Sequence, residues 1–216
     1  MALPEALTAC HGAPALMVLL PGALMTPRHM VDAGMFEAVA RRSLALDLLA
    51  LDLHALMGCN AEALAVLAGE VIAPARAQYE QIWLTGISRG GQLTLSCLAE
   101  QSAEVDGVCL LAPYPGSRLT TNAIQRAGGL SAWTPSDADL KDPEFRMWQW
   151  LRKPTFAGEM FLGYGREDRF ADGMQQLAQQ LPSAEFAEVE GGHDWAAWMP
   201  LWERFLDAGH FKVATR

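Results

Sequence analysis

At 216 residues, 51% of them apolar, the chain has material for one compact core and is short for two domains of ordinary size. A formal net charge of −9 argues against the basic face that a nucleic-acid partner requires and mainly favours solubility. No apolar run reaches the ~18 residues of a membrane span, and the opening "MALPEALTACHGAP" carries no basic stretch before a long apolar segment, so a soluble, cytoplasmic protein is expected.

In chain order, "ALMVLLPG" (15 to 22) is a continuous apolar run closed by Pro-Gly, and "LALDLLALDL" (44 to 53) is a second. Leu64, Leu67, Ala68, Val71, Ile72, Ala75 and Tyr79 then recur at helical spacing, with Pro74 set to kink or split the helix. "IWLTGIS" (82 to 88), "GVCLLAPYPG" (107 to 116) and "EMFLGYG" (159 to 165) supply further strand-like runs. Near the end, Trp198, Leu201, Trp202, Phe205 and Leu206 return to helical spacing, and with Trp195 the tryptophans there read as core. Continuous runs of this kind suit strands covered on both faces, so the alternation predicts a doubly wound, mostly parallel α/β sheet in a single domain spanning 1–216.

One stretch breaks the alternation. Residues 117–153 hold no strand-like run, and are expected to form a cap of short helices over the carboxyl edge of the sheet. The stretch carries six basic residues (Arg118, Arg126, Lys141, Arg146, Arg152, Lys153) against four acidic ones (Asp137, Asp139, Asp142, Glu144), a balance of +2 in a chain of −9. Because charges of both signs are interleaved, an ordinary solvated loop surface is the first reading; the alternative is a cap that favours anions at the entrance and offers Trp133, Trp148 and Trp150 for apolar contact. Cys10, Cys59, Cys97 and Cys109 are scattered, without zinc-ligand spacing or a disulfide framework, and are expected to be thiols.

Chemistry concentrates at Gly86-Ile87-Ser88-Arg89-Gly90, a G-x-S-x-G at a strand-to-helix junction, followed by Gly91. Ligands of open parallel sheets bind beyond the carboxyl strand ends, where Ser88 falls, and small residues two before and two after it let strand and helix approach. A serine needs a base. His193, in "VEGGHDWAAW", follows two glycines on a loop before the last helix and is the candidate; His11, His29, His54 and His210 sit elsewhere in the chain. The imidazole in turn needs an acid, for which Asp168 in "FLGYGREDRF" is the choice, with Glu167 and Asp172 as close competitors; Asp172 is alternatively an N-cap. Arg89 is expected to pair with a neighbouring acid rather than a substrate.

From "VLLPGAL" through "GISRGG" to "GYGREDRF" and "GGHDWAAW", the chain resembles a small serine esterase of the α/β-hydrolase superfamily over nearly its whole length. Its "GGHDWAAW" segment is locally similar to the putative-esterase branch that includes enterochelin-type esterases. The resemblance implies the α/β-hydrolase fold with a short cap insertion, a Ser88, Asp168, His193 order, and an oxyanion hole made by backbone N–H groups of Ala23, in the Gly22-Ala23-Leu24 turn, and of Arg89. Pro21 stands where the family usually has histidine. The reaction implied is carboxylic ester hydrolysis through an acyl-enzyme on a small-molecule ester, without metal or organic cofactor. Thioester hydrolysis and acyl transfer use the same residues, and a catalytically inactive binding protein on this scaffold is the rival of another class.

Overall fold

The computed structural model describes residues 6–56, 60–100 and 104–214. Among them seven strands form one sheet: β1 (Ala6–Ala9), β2 (Ala15–Leu20), β3 (Leu46–Leu51), β4 (Gln81–Ile87), β5 (Gly107–Leu111), β6 (Glu159–Gly165) and β7 (Glu185–Val189), in the order β1-β3-β2-β4-β5-β6-β7. β1 runs antiparallel to β3 and every other pair is parallel. Every residue of β2 and β5 is buried, as continuous apolar runs covered on both faces require.

The helices are α1 (Pro27–Asp32), α2 (Met35–Arg41), α3 (Asn60–Val66), α4 (Ala73–Ala75), α5 (Arg89–Ala99), α6 (Arg118–Arg126), α7 (Pro143–Trp150), α8 (Ala171–Gln180) and α9 (Trp195–Asp207). The chain thus has the predicted mixed α/β, mostly parallel architecture. α5 lies innermost: Gly90 through Leu98 are all buried, against β4 on one side and α7 on another. α9 closes the far end, where Trp202 Nε1 donates to Met35 O (3.0 Å) and the Arg42 guanidinium grips Asp207 (2.7 Å).

The helix over Leu64 to Tyr79 is split, as Pro74 led one to expect, into α3, a π-helical turn Leu67–Ile72 and the short α4; the winding widens just ahead of Pro74, whose ring nitrogen cannot donate to the preceding turn. Two expectations need correction. β1 and β7 escape the apolar-run reading because they alternate: in "EFAEV" only Ala187 is buried. Between 117 and 153 the chain forms α6, a 3₁₀ turn (Asp139–Lys141) and α7. Trp133 and Trp148 there belong to the core, with exposures of 5% and 0%, and Trp148 Nε1 donates to Pro115 O (2.8 Å); neither is free for substrate contact. Cys97 and Cys109 are buried and Cys10 is exposed, while Cys59 lies outside the described residues.

Candidate active site

Ser88 follows β4 directly, and its backbone (φ 51°, ψ −113°) departs from every regular conformation. The pairing of Ile87 with Leu111 continues into a bond from Ser88 N–H to Leu111 O (3.0 Å), so the sheet pins the turn. Three glycines make the turn possible. A Cβ on Gly86 would sit 2.3 Å from Gly90 O, one on Gly90 2.0 Å from Leu20 O, and one on Gly91 2.9 Å from Pro113 Cα. Strand β4, helix α5, strand β2 and the loop after β5 therefore meet at distances only hydrogen can fill.

Two hydrogen bonds in series join three loops at the carboxyl edge. His193 Nε2 lies 2.8 Å from Ser88 Oγ, and His193 Nδ1 lies 2.5 Å from Asp168 Oδ2. An ionised carboxylate only accepts, so Nδ1 carries the ring proton and Nε2 is left to accept from the serine hydroxyl. Asp168 is held by the N–H of Phe170 on its other oxygen (2.8 Å), and its side chain is wholly buried, against 10% exposure for that of His193. Gly191, at φ 111°, gives the chain the turn that brings His193 back over β6.

The neighbouring acids have other partners. Glu167 accepts the N–H of Gly191 (2.5 Å), and Asp172 lies in the first turn of α8 rather than at its cap, which Phe170 occupies. The other histidines are bound elsewhere: His11 N–H donates to Asp47, His29 caps α1, His54 pairs with Asp52 and His210 with Glu159. Arg89 corrects a further expectation: it donates to Gln92 Oε1, three residues along the same helix face, and lies 5.7 Å over the Tyr114 ring, with no ion-pair partner among the described residues.

Two aromatic residues frame the imidazole, Phe170 with no sequence signal and Trp198 from the helical stripe read as core. Phe170 and Trp198 meet the His193 ring edge-on from two directions, at centroid distances of 5.0 and 5.3 Å, and Tyr114 meets Phe170 in the same manner at 5.1 Å. Such contacts fix the ring plane and keep water off its faces. The turn Gly22 to Met25, closed by Met25 N–H to Gly22 O (3.0 Å), begins against Ser88: a Cβ on Gly22 would lie 3.3 Å from Ser88 Cβ. Among the described residues neither the Ala23 N–H nor the Arg89 N–H has an acceptor in the protein. At the tip of that turn Leu24 takes a left-handed conformation (φ 61°) and is 99% exposed.

No protein-family model and no curated protein matches the sequence. Solved structures do match. They include FphF, a fluorophosphonate-binding serine hydrolase of Staphylococcus aureus (TM-score 0.68, 14% identity, 93% of this chain and 85% of that one). Est1E from Butyrivibrio proteoclasticus with ferulic acid bound matches over 94% of each chain (TM-score 0.66, 13% identity). The S-formylglutathione hydrolase FrmB of S. aureus matches over 91% of this chain and 80% of its own (TM-score 0.60, 14% identity).

The chain has the α/β-hydrolase fold. Within that fold Ser88 occupies the strand-to-helix turn after β4, and Asp168 and His193 follow β6 and β7. Among the described residues no helix is long and apolar enough to cross a membrane.

Proposed function

We propose that this protein is a serine hydrolase that cleaves a carboxylic ester of a small molecule through an acyl-enzyme. The observation that carries the reading is the pair of bonds Asp168–His193–Ser88, at 2.5 and 2.8 Å, in a buried, oriented arrangement. Ser88 Oγ attacks the carbonyl carbon as its proton passes to His193 Nε2, and the imidazolium so formed is stabilised by Asp168. Negative charge develops on the carbonyl oxygen, where the N–H groups of Ala23 and Arg89 are the donors at hand; a donor of this kind lowers the barrier by about 3 to 4 kcal/mol. His193 then returns the proton to the departing alcohol, and the same ring activates the water that releases the acid and restores Ser88.

The fold is shared by proteins of many activities, so the test must address the site. A fluorophosphonate probe is expected to label Ser88, and Ser88→Ala and His193→Ala should each abolish turnover of activated esters while the circular dichroism spectrum is retained. Members of such a unit do not act independently, so the double variant should be little worse than either single one. Asp168→Asn keeps the shape but presents the wrong hydrogen-bonding partner, and should lower kcat by up to about 10⁴-fold. Full activity in Ser88→Ala, or loss in Asp172→Asn with Asp168→Asn mild, would overturn these assignments. Absence of labelling would instead favour a binding protein on this scaffold.

A further inference from the structure

A cavity of about 500 Å³ opens between α6 and the start of α8, within the size range of small-molecule sites. Phe170 is one of its walls, and the same ring meets His193 edge-on at 5.0 Å, so the cavity adjoins the triad across a single aromatic side chain. Arg118 and Arg169 line it, together with Asn122, Gln125 and Asp172. Among the described residues neither arginine has an ion-pair partner, whereas Arg41, Arg42, Arg76 and Arg146 each do. The Arg169 guanidinium lies 4.8 Å over the Phe170 ring, and Tyr114, which meets Phe170 edge-on, carries Arg89 at 5.7 Å.

We infer that this cavity receives a carboxylate carried by the substrate, remote from the bond that is cleaved. The inference rests on the hydrolase reading for its substrate, but not for its site. Two guanidiniums against the one carboxylate of Asp172 leave the lining at +1, in a chain of −9 whose field otherwise turns anions away. A singly charged carboxylate brings that lining to neutrality, whereas a phosphate dianion would overshoot it. Guanidinium forks match carboxylate oxygens in a planar, two-bond geometry, and the amides of Asn122 and Gln125 add donors that carry no charge. The neutral part of the ligand then runs along Phe170 toward Ser88. The excess of basic residues in 117–153 thus narrows to Arg118, joined by Arg169 from the loop after β6.

The test is calorimetric titration of the Ser88→Ala protein with monomethyl adipate and with its neutral dimethyl ester. The monoanion should bind tighter, and adding Arg118→Gln and Arg169→Gln should weaken it about tenfold or more while Arg118→Lys and Arg169→Lys retain part of the affinity. Raising the salt to a concentration where the screening length is only a few ångströms should compress the difference between the two ligands. Equal binding of the two, or no change on removing both arginines from a protein that still melts cooperatively, would overturn the inference. Tighter binding of butyl phosphate than of monomethyl adipate would overturn the choice of carboxylate. For the protein with Ser88 intact, the ratio of kcat/KM for the para-nitrophenyl monoester of adipic acid over a neutral ester of like length should fall with the same substitutions. Arginine-dependent binding in a protein that cleaves neither ester would support the carboxylate site and reject the hydrolase reading.

Discussion

Ser88 sits at φ 51°, a conformation that costs a residue with a side chain of order 1 to 3 kcal/mol and persists only where its surroundings over-determine it. The surroundings are the N–H to Leu111 O bond and the acceptance by Ser88 O of N–H groups from both Gln92 and Tyr114, at 3.0 and 2.9 Å. At the opposite edge of the sheet Asp47 does comparable work without any part in the chemistry. It is 1% exposed, and its two oxygens accept the N–H groups of His11, Gly12 and Ala13 and the hydroxyl of Tyr79. Asp47→Ala leaves those donors without an acceptor, and should lower the unfolding free energy by about 3 kcal/mol in urea titration, with the proposed ester hydrolysis per folded molecule unchanged. The two residues differ in how legible they are. Ser88 is announced by glycines at fixed offsets, because the close approaches around it are local in sequence. Asp47 lies in an apolar run that says only strand; its partners arrive from more than thirty residues away in either direction. Phe170 is invisible for the same reason, and Trp198 shows in its spacing only as core: a ring packed edge-on against an imidazole has no spacing rule to betray it.

The turn between β4 and α5 is where element geometry and chemistry coincide. A Cβ at Gly90 would press into the backbone carbonyls of Leu20 and Pro21, at 2.0 and 2.7 Å, and neither can retreat without dislodging β2 or the turn at Gly22. Gly90→Ala should therefore cost about 3 kcal/mol or more and lower activity through the displaced turn, while an alanine at Gly69, whose Cβ meets nothing within 4 Å, serves as the control in the same thermal melts. Long buried elements were readable: β2, β3, β5 and β6 fall within predicted runs, β4 begins one residue ahead of its run, and α9 shows its stripe at the expected spacing. Short, half-exposed ones were not, since β1 and β7 hold four and five residues and present alternate side chains to solvent. The loops that carry Asp168 and His193 could be assigned to the carboxyl edge from chain order, whereas the cavity between α6 and α8 depends on how two helices lean together, a relation with no trace in either helix alone.

Across the whole molecule, all three tyrosines of the chain are shifted the same way. Burial is the first cause in each, reinforced for Tyr79 by its bond to Asp47 and for Tyr164 by Glu188; together burial and Glu188 push the Tyr164 phenol up to about 12. A folded value above the unfolded one of about 10 means the stabilisation is complete below pH 10 and is lost as pH rises toward the folded value. Denaturant midpoints should accordingly hold between pH 8 and 9.5 and fall beyond about pH 10, and Tyr164→Phe should remove about 2 kcal/mol of that alkaline loss; an unchanged alkaline slope in the variant would contradict the assignment. Leu24 bears on a different variable. It holds a fully exposed isobutyl group at the tip of the turn that begins against Ser88, in a backbone conformation leucine rarely takes. Any bound molecule that covers it withdraws hydrocarbon from water, and burial of that kind carries a negative heat-capacity change and loses driving force on cooling. Temperature thus enters at the rim: ligands that reach Leu24 are held less firmly in the cold, while those anchored only by charge at Arg118 and Arg169 do not share that trend.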